Sequence, residues 1–513
     1  MISYSIKSQG LGIVWETQNK LRPKQIIGSH EVNNTMEVGA SQTGLVGPSA
    51  EGRKRLQYLA ALTATLGALA AGTTLSWSSP VVFKITQPNN TEYNFSVSEA
   101  QANWVASAVN LGAAAVSIPV GLIMDRIGRR TTMILLVIPI TLGWLLITYA
   151  SNVGMLIAGR FMTGFSGGSF CVTTPAYISE IAQDSIRGKL GSYFQLMINI
   201  GILFSYAVGS YTSVFVFNIL CTLIPIIFGV LFFFMPESPN FLVVKGRNEE
   251  AREALIRLRG SDYDVDSELK TLQIRADHRR NNTTSFTSVI TKKSALKAML
   301  ISYSLIAFLQ LSGINVVLFN TSAIFFYAGA TIPAEISSII IGVIQVVTTF
   351  VSGLVVDKLG RRILLMLSSL IVCICITALG AYFFLLEQPE PNSGLLEKIS
   401  WLPLVSLSLY VIACSLGIGP LPWIMCGELC LIEIKGFVAS TAGMLNWVLS
   451  FALTSTYGPM TAAIGTGQVF WIFSGFMLIA FLFSIFVIPE TKGKSVDEIQ
   501  VLLGADSHTN ELK

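Results

Sequence analysis

Charge is what this sequence has least of. Only 12% of its 513 residues are Asp, Glu, Lys or Arg, against 52% that are hydrophobic. A chain so poor in charge cannot cover a water-facing surface of ordinary size. An ordinary globular protein is thereby excluded, and an integral membrane protein embedded in a lipid bilayer is left. The net charge of +4 is too small to imply a nucleic-acid partner. Histidine is scarce, at three residues. With no clustered metal ligands, no catalytic centre, metal or cofactor is indicated, and an enzyme is the least supported reading. Cys171, Cys221, Cys373, Cys375, Cys414, Cys426 and Cys430 all fall inside apolar runs and read as buried thiols. The first 50 residues contain no apolar h-region, so no cleavable signal is expected and the first span serves as its own anchor.

Long apolar runs are present in their place. A hydrocarbon core of about 30 Å is crossed by about 20 helical residues. On that scale, spans are expected near 56–80, 100–124, 131–150, 153–178, 188–209 and 212–235, and again near 296–327, 335–356, 362–386, 402–426, 436–458 and 467–488. This is an all-α membrane protein of twelve transmembrane helices in two six-helix bundles. The domains expected are a disordered cytoplasmic tail (1–52), an N-terminal bundle (53–235), a cytoplasmic helical linker (236–295), a C-terminal bundle (296–488) and a cytoplasmic C-terminal tail (489–513). Within the linker, Asn248 is placed to cap a helix striped with Ala251, Leu255 and Leu258 and ended by Gly260. The linker reads as a surface bundle tethering the two halves.

The two halves repeat one another. Gly121-Leu-Ile-Met-Asp-Arg-Ile-Gly-Arg-Arg130 returns as Gly353-Leu-Val-Val-Asp-Lys-Leu-Gly-Arg-Arg362. Glu180 with Arg187-Gly188 is answered by Glu428 with Lys435-Gly436, and Pro236-Glu-Ser-Pro239 by Pro489-Glu-Thr-Lys492. Short-loop bases set the orientation. Arg53, Lys54, Arg55, Arg126, Arg129, Arg130, Arg187, Lys189, Lys358, Arg361, Arg362 and Lys435 share one side, and the other has Lys84 and Lys398. Both termini and both Gly-Arg-Arg turns are therefore expected in the cytoplasm. The sequons at Asn89 and Asn94 then lie in the first outward loop as candidate glycosylation sites.

Each Gly-Arg-Arg turn combines a small residue, an acid (Asp125, Asp357) and several bases. Glycine permits close helix approach, and the acid can pair with a base or cap a helix end. Arg129, Arg130, Arg187, Arg361, Arg362 and Lys435 are expected to meet carboxylates at neighbouring helix ends, namely Glu180, Glu237, Glu428 and Glu490. Such pairs form a latch, made in one conformation and broken in another.

The two turns, Gly159-Arg160 with Gly164 and Gly168, Pro175, Gln310-Leu-Ser-Gly-Ile-Asn315, Gly417-Ile-Gly-Pro-Leu-Pro-Trp423, Asn446-Trp447 and Pro489-Glu-Thr-Lys-Gly493 together resemble the sugar porters of the major facilitator superfamily. That family includes glucose facilitators and the insect facilitated trehalose transporters, and the likeness runs from about residue 56 to 495. It implies a cell-membrane carrier of a small sugar, a hexose or trehalose, functional as a monomer. The amides of Gln195, Gln310, Asn315 and Asn446 can each donate and accept. Trp423 and Trp447 offer flat apolar walls for a sugar ring. Matching positions contact sugar in the resembling family. Breakers at Ser312-Gly313 and at Gly417, Gly419, Pro420 and Pro422 mark spans 7 and 10 as bending elements. Departures from the family pattern are Leu309, Asn320, Asn240, and Cys430-Leu431 after Glu428. By resemblance, Thr73 stands where proton-driven relatives carry an acid, which leaves Arg160 without a carboxylate and implies facilitated diffusion. The alternatives are a proton-coupled symporter and a non-transporting sugar sensor on the same fold.

Overall fold

In this computed structural model the described residues are 52–87, 91–281, 286–329 and 332–504, with side chains described throughout except at 279–281, 286–287 and 354–358. The 1–51 and 505–513 tails and the Asn89 sequon lie outside them. Among the described residues, ten helical stretches are long and apolar enough to cross a membrane, and a bent pair makes an eleventh. In chain order they are Arg55–Ile85 (span 1), the pair Glu99–Val116 and Pro119–Ile127 (span 2), Arg129–Thr148 (span 3), Asp184–Tyr211 (span 5), Val214–Phe233 (span 6), Lys293–Tyr327 (span 7), Ala334–Leu359 (span 8), Arg361–Leu386 (span 9), Leu402–Leu429 (span 10), Ile432–Ile464 (span 11) and Thr466–Phe486 (span 12). The twelfth helix, Val153–Ile181 (span 4), runs 29 residues, and its Gly, Ser and Thr dilute its hydropathy.

Those small residues let span 4 sit inside its half. A Cβ on Gly164 would stand 2.0 Å from the Val109 carbonyl, and one on Gly112 would stand 2.0 Å from that of Phe161. Spans 2 and 4 thus approach backbone to backbone, as small residues allow in a membrane. Each half has its own apolar core. The first gathers Trp77, Trp144, Phe170 and Phe228, and the second Val372, Tyr410, Phe470 and Met477. A smaller cluster, with Val109, Ile202, Tyr206 and Leu318, lies between them.

Breaks fall where backbone chemistry demands them. Gly313 adopts a left-handed conformation, φ +81°, which splits span 7. Span 10 divides into Leu402–Leu416 and Leu421–Leu429 across the Gly417–Pro420 segment. Span 2 bends by 51° ahead of Pro119, a break that the apolar run conceals.

The stretch after span 6 forms helices Pro239–Val244, Asn248–Arg259 and Val265–Asn281. Asn248 begins its helix, and Arg247 before it occupies the cap position without a side-chain cap bond. Ala251, Leu255 and Leu258 are buried, and Gly260 ends the helix at φ +92°. This layer is fastened to the first half. Arg259, 2% exposed, donates to the Ile181 carbonyl (2.7 Å) and pairs with Glu268 (3.0 Å). Gln57 Nε2 donates to the Leu258 carbonyl (3.3 Å), and the Tyr177 hydroxyl to that of Pro236 (2.7 Å).

Candidate functional site

At the Gly-Arg-Arg end, each half carries the same clamp. The turn glycines, Gly128 (φ +103°) and Gly360 (φ +88°), take conformations that disfavour a side chain and open the next span. The first backbone N–H groups of that span are then met by a carboxylate from beyond the half's last helix. Glu237 Oε1 accepts from Arg129 N (2.9 Å) and Arg130 N (3.0 Å). Glu490 accepts from Arg361 N (3.0 Å) and Arg362 N (3.2 Å). Both acids therefore cap helix N-termini from afar, where an anion is favoured. Burial works against the Glu490 charge, but backbone N–H groups of Lys492, Arg361, Arg362 and Thr491 outweigh it and hold the carboxyl below its ordinary value.

The arginine side chains take the other acids. Arg129 donates Nη2 and Nε to Glu180 Oε1 (2.9 and 3.1 Å), and its Nη1 lies 3.1 Å from Asp125. Arg361 reaches Glu428 at 3.2 and 3.3 Å. A hydroxyl completes each clamp: Ser238 Oγ contacts Glu180, and Thr491 Oγ1 donates to Glu428 (2.5 Å). The second arginines bond carbonyls at the end of the half's last span, Arg130 that of Phe233, and Arg362 those of Ser484 and Ile485. Both clamps close within their own half. Arg187 stays out of its clamp: it pairs with Asp184 (2.6 Å) and donates to the Ser179 and Ala182 carbonyls. Lys435 lies against Gly427, its Nζ 3.4 Å from where a Cβ would stand. The Asp357 side chain is outside those described.

At mid-depth, three of the four predicted amides meet. Gln310 Nε2 donates to Asn446 Oδ1 (2.6 Å), and Asn315 Nδ2 to Gln310 Oε1 (3.0 Å) and Ser450 Oγ (2.8 Å). The break at Gly313 folds Asn315 back beside Gln310, five positions earlier. Gln195 belongs to a second group: its Nε2 reaches Asn199 Oδ1 (3.4 Å), and Asn199 Nδ2 donates to Thr349 Oγ1 on span 8 (2.6 Å). The tryptophans also separate. Trp423 is 42% exposed, whereas Trp447 faces a recess lined by Ala71, Thr74, Val109, Gly164 and Gly167 of the first half. Asn199, Ser450 and Thr454 were not singled out from sequence. The available signal was spacing, since they follow Gln195 and Asn446 at four-residue steps on one helix face.

Arg160 is fully buried on span 4. Its guanidinium donates to the carbonyls of Thr74 (2.6 Å) and Val105 (3.3 Å) and to Ser78 Oγ (2.9 Å), and lies over the Trp77 ring. Among the described residues no carboxylate is within ion-pair distance of it. Thr73 spends its hydroxyl on the Ala70 carbonyl (2.9 Å).

Hydrogen bonds between the halves lie at mid-depth or toward the end away from the clamps. They join Asn110 to Thr454 (3.1 Å), Asn199 to Thr349 (2.6 Å), Ser79 to Ser322 (3.0 Å) and Tyr206 to the Leu318 carbonyl (2.9 Å). On the clamp side, Gly188 and Gly191 of span 5 and Gly436 of span 11 face open space, with nothing within 4 Å of an added Cβ. The hydrogen bonds named between the halves thus lie away from the clamps, although a Cβ on Gly121 would stand 4.0 Å from Ser440 Oγ and one on Gly353 3.8 Å from Ser192 Cβ of the opposite half.

Residues 60–503 match the family described as sugar (and other) transporter. Facilitated trehalose transporter Tret1 of Culex quinquefasciatus is 37% identical over 445 residues, covering 86% of this chain and 85% of the relative. Its namesake in Polypedilum vanderplanki is 38% identical over 446 residues, covering 86% and 87%. The inward open conformation of the xylose transporter XylE from E. coli has the same fold, with a TM-score of 0.70, 23% identity, and coverage of 86% of this chain and 98% of that one.

Proposed function

We propose that this chain, which belongs to the sugar (and other) transporter family, carries a hexose or trehalose across the cell membrane by facilitated diffusion. Two six-helix halves rock about a central site, and both termini face the cytoplasm. Because the bonds named between the halves lie away from the clamp end, the conformation reads as inward-facing. Sugar hydroxyls exchange with the bonds among Gln310, Asn315 and Asn446, while Gln195 and Trp423 line the path from their exposed positions.

The observation that carries uniport over symport is the Arg160 site. A guanidinium solvated by carbonyls and an aromatic face, with no carboxylate partner among the described residues, offers no titrating pair to load a proton. Intramembrane charge without such a partner serves to hold spans 1, 2 and 4 together. Uptake of labelled glucose and trehalose into proteoliposomes tests this. Equilibration that ignores an uncoupler is expected; accumulation driven by an inward proton gradient would establish symport. Absence of any flux would make the chain a sensor.

A further inference from the structure

Two cations meet where span 6 ends, and the first clamp leaves most of their hydrogen-bonding capacity unused. Arg130 Nη2 donates to the Phe233 carbonyl, and Arg257 Nη2, from the helix Asn248–Arg259, donates to that of Phe234 (2.7 Å). Consecutive carbonyls thus bring the two guanidiniums side by side. A guanidinium has five N–H donors, and each side chain spends one here. Arg130 Nε is buried without a hydrogen-bond partner, which is costly until an acceptor arrives.

Carboxylates do not answer these charges. Among the described residues neither arginine has an ion-pair partner. Glu237 is engaged by the backbone N–H groups of Arg129, Arg130 and Ser238, and Glu250 by Arg247. Glu253, one turn before Arg257 on its helix, makes no ion pair with it. Apolar surface runs on from the cations toward the bilayer centre. Phe233 and Phe234 are 58% and 62% exposed, with their rings edge to face at 5.7 Å, and Ile227 and Val230 extend the exposed stripe along the span. The equivalent end of span 12 is built differently. There Arg362 bonds the Ser484 and Ile485 carbonyls through both Nε and Nη2, and the helix that follows, Val496–Leu502, carries Asp497 and Glu498 but no base.

We infer that an anionic phospholipid of the cytoplasmic leaflet docks at the end of span 6, with its phosphate between Arg130 and Arg257 and its acyl chains along Phe234, Val230 and Ile227. Cations at headgroup depth above an exposed apolar stripe match the two parts of such a lipid. From the proposed topology the inference takes only that this end faces the cytoplasm, where anionic lipids are concentrated. A phosphate held by both arginines bridges the start of span 3 to the helix Asn248–Arg259. It thereby fastens the linker layer to the first clamp.

The full chain in nanodiscs of phosphatidylcholine, with increasing shares of phosphatidylserine, tests this through its melting temperature. Phosphatidylserine should raise the melting temperature of the parent to a plateau. Arg257→Gln should need about fivefold more of it for half that rise, the loss of one cation at a charged membrane surface. Arg252→Gln, on the same helix but paired with Asp266, should respond as the parent does. No rise in the parent would overturn the site, and equal losses in the two variants would reduce it to diffuse charge attraction. The same rise produced by inorganic phosphate over pure phosphatidylcholine would overturn the lipid assignment. Should Arg257→Gln fail to fold, a photoactivatable phosphatidylserine on the unsubstituted chain still decides. Labelling concentrated at Phe233 and Phe234 supports the site, and equal labelling at Phe486 of span 12 refutes it.

Discussion

Gln310→Ala is the most direct probe of the central cluster. Gln310 is 3% exposed and spends its amide on two partners, Asn446 Oδ1 at 2.6 Å and Asn315 Nδ2 at 3.0 Å. Alanine removes a donor and an acceptor together. Asn315 Nδ2 keeps Ser450 as a partner, whereas Asn446 Oδ1 loses its donor. Each hydrogen bond lost to bound sugar is worth about 1 kcal/mol, so one or two of them raise KM by roughly 5- to 30-fold at 1.4 kcal/mol per tenfold. Because Gln310 and Asn446 touch, the double variant with Asn446→Ala should fall short of the summed effects by about 1 kcal/mol. The assay is initial-rate sugar uptake into proteoliposomes, normalised to inserted protein. A KM within twofold of the parent for correctly inserted Gln310→Ala would remove the residue from the site. Strict additivity with Asn446→Ala would remove the network.

The clamps should respond unequally to loss of their acids. Glu180→Gln is expected to cost about 2–3 kcal/mol, and Glu428→Gln less, because Arg361 holds Glu428 at 3.2–3.3 Å with 28% of the carboxylate side chain exposed, against 14% for Glu180. Melting followed by tryptophan fluorescence orders the two, and the reverse order would contradict the assignment. Glu490 has a depressed native pKa, so its stabilisation is complete above the unfolded value of about 4.3 and is lost as pH falls through the native one. Glu490→Gln should lower the melting temperature at neutral pH by the equivalent of about 1 kcal/mol, the loss of a helix cap. It should also lose less on acidification than the parent; an unchanged acid response would refute the cap. Asn94 is exposed ahead of span 2, so Asn94→Gln should abolish part of any glycosidase-sensitive mobility shift in protein from a eukaryotic host.

Much of the architecture is legible because a bilayer imposes long apolar runs, and duplication marks equivalent ends. The pairing of Arg129 with Glu180 and of Arg361 with Glu428 follows from complementary charge at repeated positions. The roles of Glu237 and Glu490 do not. They cap backbone N–H groups more than a hundred residues earlier in the chain, and no local pattern announces that. The same limit hides the anchoring of the Pro239–Asn281 layer to one half, which depends on the buried Arg259 finding the Ile181 carbonyl. Arg187 and Lys435 illustrate the converse: equivalent positions in the repeat, with different surroundings. At the centre, the breaker at Gly313 was visible, and the company it brings to Asn315 was not, because Ser450 becomes polar lining only when spans 7 and 11 are side by side.

The bonds named between the two halves, Asn110 with Thr454, Asn199 with Thr349, Ser79 with Ser322 and Tyr206 with Leu318, are all between uncharged groups. Arg129 and Arg361 pair within their own halves, and Arg160 is bonded wholly inside one of them. Reorienting the halves therefore separates no ion pair among these contacts and need carry little charge through the electric field of the membrane, which acts at about 2.3 kcal/mol per elementary charge for each 100 mV. On the proposed uniport reading, the rate of sugar equilibration is then expected to change little when the membrane is depolarised.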